Sequence, residues 1–417
     1  MSSDNFNSCV QISSSPSSSD NTTFEFAPSL SLFYSTNYKI RITTAARDRA
    51  GNPIASENTQ TNGFNTTLSI PTTAGYAHSC FILDNGSVKC WGANASGQLG
   101  LGDTNSRGDG SNEMGQNLTV IDLGTGRTIR DIEAGDNHTC AILDNASVKC
   151  WGSNASGQLG LGNTDNRGDS SGEMGDNLPA VELGSGRTAT AIAAGYQHTC
   201  AILDNESVKC WGFNEEGQLG LGDMNSRGDS SGEMGDNLPS LDLGSGRNAA
   251  SITAGAKHTC VMLDNASIKC WGYGYYGQLG RGEQKNELEP KPDPIDLGSE
   301  RNAKAIVTGN SHTCVMLDNS SIKCWGYNAS GQLGLGDANN RGDGSNEMGD
   351  NLPSIDLGSG KTARAISAGD SHTCAVLDNA SLKCWGKNDS GQLGLGDTNN
   401  RGDGSGEMGD NLPAIGL

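Results

Sequence analysis

Ala194-Gly195-Tyr196-Gln197-His198-Thr199-Cys200-Ala201-Ile202-Leu203-Asp204-Asn205-Glu206-Ser207-Val208-Lys209-Cys210-Trp211-Gly212 is the stretch whose reading decides the fold. Two apolar runs, His198–Leu203 and Ser207–Trp211, flank Asp204-Asn205-Glu206, a hairpin turn by composition. The same stretch recurs at Ala74–Cys90, Ala134–Cys150, Ala254–Cys270, Thr308–Cys324 and Ala368–Cys384, each followed by G-Q-L-G. Every copy has one histidine (His78, His138, His198, His258, His312, His372) and one tryptophan (Trp91, Trp151, Trp211, Trp271, Trp325, Trp385). The period is 60 residues, shortened to 54 between the fourth and fifth copies. Such self-similarity is the mark of a repeat architecture.

Working outward, Ala180-Val181-Glu182-Leu183 reads as a further strand and Ala191–Ala194 as a thin one that Gly195 ends. Four short strands per repeat with glycine at the corners describe a propeller blade, and the small-residue strand suits the crowded axis. The composition agrees: 60 Gly among 417 residues means many turns and short elements. The fold class is therefore all-β, a propeller of six blades over residues 68–417, with a seven-bladed arrangement as the alternative. The chain ends on Leu412-Pro413-Ala414-Ile415-Gly416-Leu417, the equivalent of Leu178–Leu183. That segment is expected to complete the first blade and close the ring.

The repeated residues resemble the regulator of chromosome condensation repeat family, whose blades carry a pattern like G-x-x-H-S/T through W-G-x-N-x-x-G-Q-L-G. Here it stands as Gly195–Thr199 and Trp211–Gly220. The resemblance implies a β-propeller but leaves function open, because the family includes nucleotide exchange factors, an enzyme inhibitor and bacterial surface proteins. Residues 1–67 lack the repeat. Within them, Tyr38–Thr44, Asp48–Pro53 and Phe64–Thr67 resemble the end of a bacterial Ig-like surface domain. The resemblance implies a small N-terminal β segment, a partial domain whose early strands are missing, and a bacterial surface setting. A signal peptide is not visible at Met1–Val10 and is expected to be missing from this chain.

Twelve of the 13 cysteines fall in pairs ten residues apart: Cys80 and Cys90, Cys140 and Cys150, Cys200 and Cys210, Cys260 and Cys270, Cys314 and Cys324, Cys374 and Cys384. A hairpin turn centred on Asn145 sets Cys140 opposite Cys150, near disulfide reach. Six disulfides imply an oxidising compartment. Cys9 is left over. Zinc is disfavoured, because no C-x-x-C pair is present.

Net charge is −20 and no basic run exists, which argues against nucleic acid as a partner. No stretch of about 18 apolar residues is encoded, so no membrane insertion is expected. Near-identical repeats leave no singular catalytic cluster. The histidines are expected to bond backbone of the next blade, and the tryptophans to fill space between blades.

Two loops stand out. The segment after G-Q-L-G-L-G is acidic, and in the third repeat Asp223, Asn225, Asp229 and Glu233 offer hard oxygens that suit calcium; no other cofactor is expected. The same loop spells Arg-Gly-Asp five times, at Arg107, Arg167, Arg227, Arg341 and Arg401, which resembles integrin-binding motifs but follows from duplication. The fourth repeat lacks this loop and carries Tyr273, Tyr275, Tyr276 and Arg281 instead. Its shorter loop is expected to leave a gap in the rim, with Tyr275, Tyr276 and Arg281 as a partner-binding patch. The chain then reads as an extracellular or cell-surface module that binds a protein or glycan without catalysis. The alternatives are a nucleotide-exchange regulator of a small GTPase and a propeller-type enzyme inhibitor.

Overall fold

The computed structural model describes residues 72–416, together with four two-residue strands nearer the N-terminus. The chain divides into two compact units, Met1–Pro71 and Thr72–Leu417. In the first, Asn37–Tyr38 pairs with Phe64–Asn65, and Arg41–Ile42 with Asn58–Thr59, both antiparallel. The rest of the Ig-like resemblance, and Cys9, lie outside the described residues.

The second unit is all-β, with six three-stranded antiparallel sheets and only single-turn 3-10 helices. Blade 1 is Thr72–Ala74, His78–Ile82 and Val88–Gly92; blade 2 is Ile129–Ala134, His138–Leu143 and Val148–Gly152. Blade 3 is Ala189–Ala194, His198–Leu203 and Val208–Gly212; blade 4 is Ala249–Ala254, His258–Leu263 and Ile268–Gly272. Blade 5 is Ala303–Thr308, His312–Leu317 and Ile322–Gly326; blade 6 is Ala363–Ala368, His372–Leu377 and Leu382–Gly386. The first strands of all six border one cavity of about 860 Å³. Small side chains such as Ala193 and Ala194 stand there because the strands crowd together near the axis.

The fourth strand of each blade is reduced to isolated contacts. Arg227 makes a single bridge with Gly212, and Leu241 N–H bonds the Val208 carbonyl at 2.9 Å. Ala180–Leu183, expected as a strand, is such a segment: Val181 N–H bonds Val148 O at 2.8 Å and no ladder follows. The chain end behaves alike, for Ile415 N–H bonds Leu382 O of blade 6 at 2.8 Å. It finishes its own blade rather than the first, correcting the expected closure. The reason is local, since each post-loop segment folds back on the strand that precedes its loop.

The core lies between blades. One cluster joins Ile142, Val148 and Leu159 of blade 2 to Leu203, Trp211 and Leu238 of blade 3. Cys140 faces Cys150 in register, and each of the six hairpin pairs is bonded: Cys80–Cys90, Cys140–Cys150, Cys200–Cys210, Cys260–Cys270, Cys314–Cys324 and Cys374–Cys384.

Candidate functional site

The histidines are spent on joining blades. His138 Nε2 lies 3.0 Å from Thr199 Oγ1 of blade 3, and Thr199 Oγ1 donates to the Gln158 carbonyl of blade 2 at 2.9 Å. Trp211 Nε1–H of blade 3 donates to that same carbonyl at 3.0 Å. The hydroxyl has one proton and gives it to Gln158, so it accepts from His138, which must carry its proton on Nε2. Nδ1 is then bare, and it is buried without a partner. Burial therefore lowers the His138, His198, His258 and His312 pKa values to about 3 and that of His78 to about 4. The expected bond from histidine to backbone is corrected: the partner is the threonine hydroxyl of the neighbouring blade. Gly135 precedes His138 because a Cβ there would strike both the imidazole and the Gly195 carbonyl of blade 3. Five tryptophans are wholly buried between blades; Trp91 is only partly so.

The acidic loop is also a fastening. Asp223 accepts from Arg227 Nη2 at 2.6 Å and from the Asn225 amide at 2.9 Å. Glu233 Oε2 accepts from the Gly228 and Ser230 amides at 2.9 and 3.1 Å. Asp229 lies beside Glu233, whose carboxyl is raised above the usual range by burial and by that neighbour. Among the described residues, no group of three His, Cys, Asp or Glu side chains is placed to hold a metal ion. The Arg-Gly-Asp tripeptide latches the previous blade: Gly162 N–H bonds Gly228 O at 3.0 Å, and the Asp229 backbone fills the space beside Gly157. Gly228 and Gly157 both hold positive φ (+87° and +77°), so glycine is required on each side of this contact.

Blade 4 keeps the latch with different residues. Glu287 bridges Gly272 in place of arginine, is buried, and is held by Lys291 at 2.8 Å and Lys285 at 3.7 Å. Leu288 O accepts from Gly222 N–H at 2.9 Å, and its side chain packs on Gly217. The shorter loop thus leaves no gap at the latch, because Leu288 fills the place of Gly-Asp. Arg281 Nη1 donates to the Asp293 carbonyl at 2.8 Å, and burial lowers its pKa. Only Nη1 is spent on its own loop; Nε and Nη2 are buried without a partner. Tyr275 and Tyr276 are exposed (52% and 38%).

The structure adds partners that the sequence reading passed over. Tyr273 lies 5.5 Å from Tyr275 and 5.7 Å from Tyr276, ring centre to ring centre, and Tyr276 lies 4.9 Å from Tyr327 of blade 5. Lys257 stands 6.0 Å from the Tyr273 ring and pairs with Glu216 at 3.1 Å, while Asn286 donates to Glu216 at 2.7 Å. The register held a signal for this cluster: Tyr273 and Tyr327 each follow the Trp-Gly of adjacent repeats. Four tyrosines spanning two blades, with a lysine and a glutamate beside them, offer flat apolar area and hydrogen bonding at low entropy cost. Elsewhere, Glu133 in the cavity wall has its carboxyl pushed up to about 8 by burial and by Asp131.

The sequence profile described as RCC1-like domain matches residues 45–404. The chain is 28% identical over 337 residues to the ultraviolet-B receptor UVR8 of Arabidopsis thaliana, covering 80% of this chain and 68% of that protein. It is 28% identical over 273 residues to human protein RCC2, covering 60% of this chain and 48% of that one. Among solved structures, human WBSCR16 superposes with TM-score 0.64 at 18% identity, over 90% of both chains. Yeast RCC1 (Prp20), in its complex with Kap60, gives TM-score 0.63 at 20% identity, over 83% of this chain and 74% of that one.

Proposed function

The chain belongs to the RCC1-like domain family, and from that premise we propose that it is a non-catalytic binding module acting outside the cell or on its surface, with a protein partner. The observation that carries this reading is the tyrosine cluster Tyr273, Tyr275, Tyr276 and Tyr327, set where the repeat pattern breaks. Elsewhere the recurring polar residues are consumed in fastening blades, so the departure at blade 4 is where recognition chemistry is free to differ. Relatives in this family include regulators and binding proteins, among them yeast RCC1 solved with Kap60. Six bonded cysteine pairs support an oxidising setting. They weigh against a GTPase regulator working in a reducing compartment. A bacterial surface origin, suggested by the N-terminal segment, belongs to this same proposal.

The test is a comparison of captured partners by wild type and by Tyr275→Ala/Tyr276→Ala, followed by affinity measurement with the identified partner. Loss of about 2 kcal/mol or more in the double variant is expected for a hot spot. Unchanged affinity, with the fold intact by circular dichroism, removes this surface. Arg281→Ala is expected to matter less, because Nη1 is spent on the Asp293 carbonyl and Nε and Nη2 are buried away from the surface.

A further inference from the structure

In five blades the long loop ends in one 3-10 turn: Gly115–Asn117, Gly175–Asn177, Gly235–Asn237, Gly349–Asn351 and Gly409–Asn411. The glycine carbonyl of each turn accepts from a lysine of its blade's third strand (Lys89, Lys149, Lys209, Lys323, Lys383) at 2.6–2.8 Å. Four of the turns read Gly-Asp-Asn. In these, the glycine amide donates to the carbonyl of Asp122, Glu182, Asp296 or Asp356. The aspartate (Asp176, Asp236, Asp350, Asp410) accepts from the amide of Thr125, Ser185, Ser299 or Ser359 at 2.8–3.0 Å, and from its hydroxyl at 2.5–2.7 Å. Those bonds hold the four carboxyls below the usual range, so the seat favours an ionised aspartate.

Blade 4 keeps the seat and lacks the turn. Asp242, Ser245 and Lys269 stand at the places of Glu182, Ser185 and Lys209. Its shorter loop keeps the latch, but no 3-10 turn forms after it. The stretch Glu289-Pro290-Lys291-Pro292 runs there instead, and its prolines carry no amide for the Asp242 carbonyl. Among the described residues, no amide donates to that carbonyl and no carboxylate meets Ser245. Lys269 is 4% exposed and has no turn carbonyl to meet. The place of the missing carboxylate is open. A Cβ on Gly184, Gly298 or Gly358 would strike the seated aspartate at 2.9, 2.6 and 2.6 Å. One on Gly244 would meet only Lys269 Nζ at 3.5 Å and Arg247 Cγ at 3.9 Å. Arg281, where other repeats carry Leu161, Leu221 or Leu335, brings a second cation. Burial and then the Arg281 charge lower the Lys269 pKa, which Asp242 and Asp293 offset only in part.

We propose that this vacant seat on blade 4 binds a Gly-Asp turn of a partner protein, an acidic segment that docks as the chain's own turns do. Its aspartate takes the Ser245 amide and hydroxyl. The carbonyl of the preceding glycine accepts from Lys269, and that glycine's amide donates to the Asp242 carbonyl. The occupant is read from four seated copies and not from the tyrosine cluster, so the two surfaces are tested separately. Residues 1–71 contain no Gly-Asp, and a second copy of the chain has its own turns seated in its own blades.

The test titrates the full chain with a labelled synthetic peptide of residues 232–239, blocked at both ends. Binding is read by fluorescence anisotropy and located by amide shifts at Gly244, Ser245 and Lys269. Saturable binding is expected. Asp236→Asn in the peptide, or Ser245→Ala in the chain, should each weaken it by about tenfold or more, because each removes bonds to an ionised group. Ser245 is exposed, so its variant keeps the fold. Exchanging residues 281–294 for a copy of residues 221–240 restores the turn, fills the seat from within and should abolish binding. The chain's net charge of −20 repels an acidic peptide, so unspecific attraction does not imitate this result. No saturable binding by the wild-type chain overturns the proposal, whether solvent or another segment holds the seat. Binding that Ser245→Ala and the loop exchange leave unchanged overturns it equally.

Discussion

His138 shows how one residue type recurs in every blade without making a catalytic ring. Its Nε2–H is fixed on Thr199, and protonating Nδ1 would place a charge in a buried spot with no acceptor. The folded pKa values near 3 to 4 lie below the unfolded value of about 6.5. The unfolded chain then binds more protons than the folded one at acid pH. Stability is thus full above about pH 6.5 and falls as pH drops toward 4, by roughly 1 kcal/mol per pH unit for each histidine. Denaturant titrations at several pH values would read this as a steep acid loss; a flat profile from pH 6.5 to 4 would contradict it. The Thr199 hydroxyl is the hinge of the same network. Thr199→Val strands both the His138 N–H and one bond to the Gln158 carbonyl, and is expected to cost about 1–3 kcal/mol. His372→Gln should cost clearly less, because His372 is half-buried and lacks the threonine partner. Matched chemical melts of the two variants would show the difference.

At the scale of the element, each hairpin is closed by one disulfide between facing strands. The loop of 11 residues it closes is worth roughly 2–3 kcal/mol by chain entropy. Intact-mass measurement on unreduced protein from an oxidising host should find twelve of the 13 thiols blocked. Cys200→Ala/Cys210→Ala should lower the melting temperature while leaving the other five bonds intact. The acidic loop is a second element with a clear expectation. Its carboxylates already accept from Arg227 and from backbone amides. Calcium would have to displace those bonds, so millimolar Ca²⁺ is expected to leave Tm unchanged. A rise reversed by EDTA would show that Asp223, Asn225, Asp229 and Glu233 regroup around the ion. The Arg-Gly-Asp sequence belongs to the same element, and its arginine is occupied with Asp223.

Across the whole molecule, stability is shared between neighbours, as in any array whose units touch only the next unit. Among the described residues, blades 2 to 5 have fastened neighbours on both sides and blades 1 and 6 have one. Native-state hydrogen exchange should therefore be slowest at His198–Leu203 and His258–Leu263, and faster at His78–Ile82 and His372–Leu377. Uniform protection across the six middle strands would mean that blades 1 and 6 are fastened as firmly as the others in solution. The net charge of −20 spreads repulsion over the whole rim, so added salt should stabilise the fold modestly.

The six-fold recurrence of G-x-x-H-S/T-C and K-C-W-G pointed by itself to a propeller of six repeats, to the hairpin register and to the cysteine pairs, with a seven-bladed ring left as the alternative. These rest on local pattern and on a period, both of which survive in one dimension. The contacts of the histidines were not legible there, because Thr199 lies 61 residues from His138 and only blade stacking brings the two together. The hydrogen bonds of the loop's acids to Arg227 and to amides appear only once the loop is folded. Tyr327 joined Tyr276 for the same reason, since a neighbouring blade turns a separation of 51 residues into ring contact. The fate of the chain end was likewise not legible. Leu412–Leu417 has the sequence of a blade's fourth segment, and only the folded loop shows that it turns back so that Ile415 bonds Leu382 of its own blade, a choice between blade 6 and blade 1 that the sequence period leaves open.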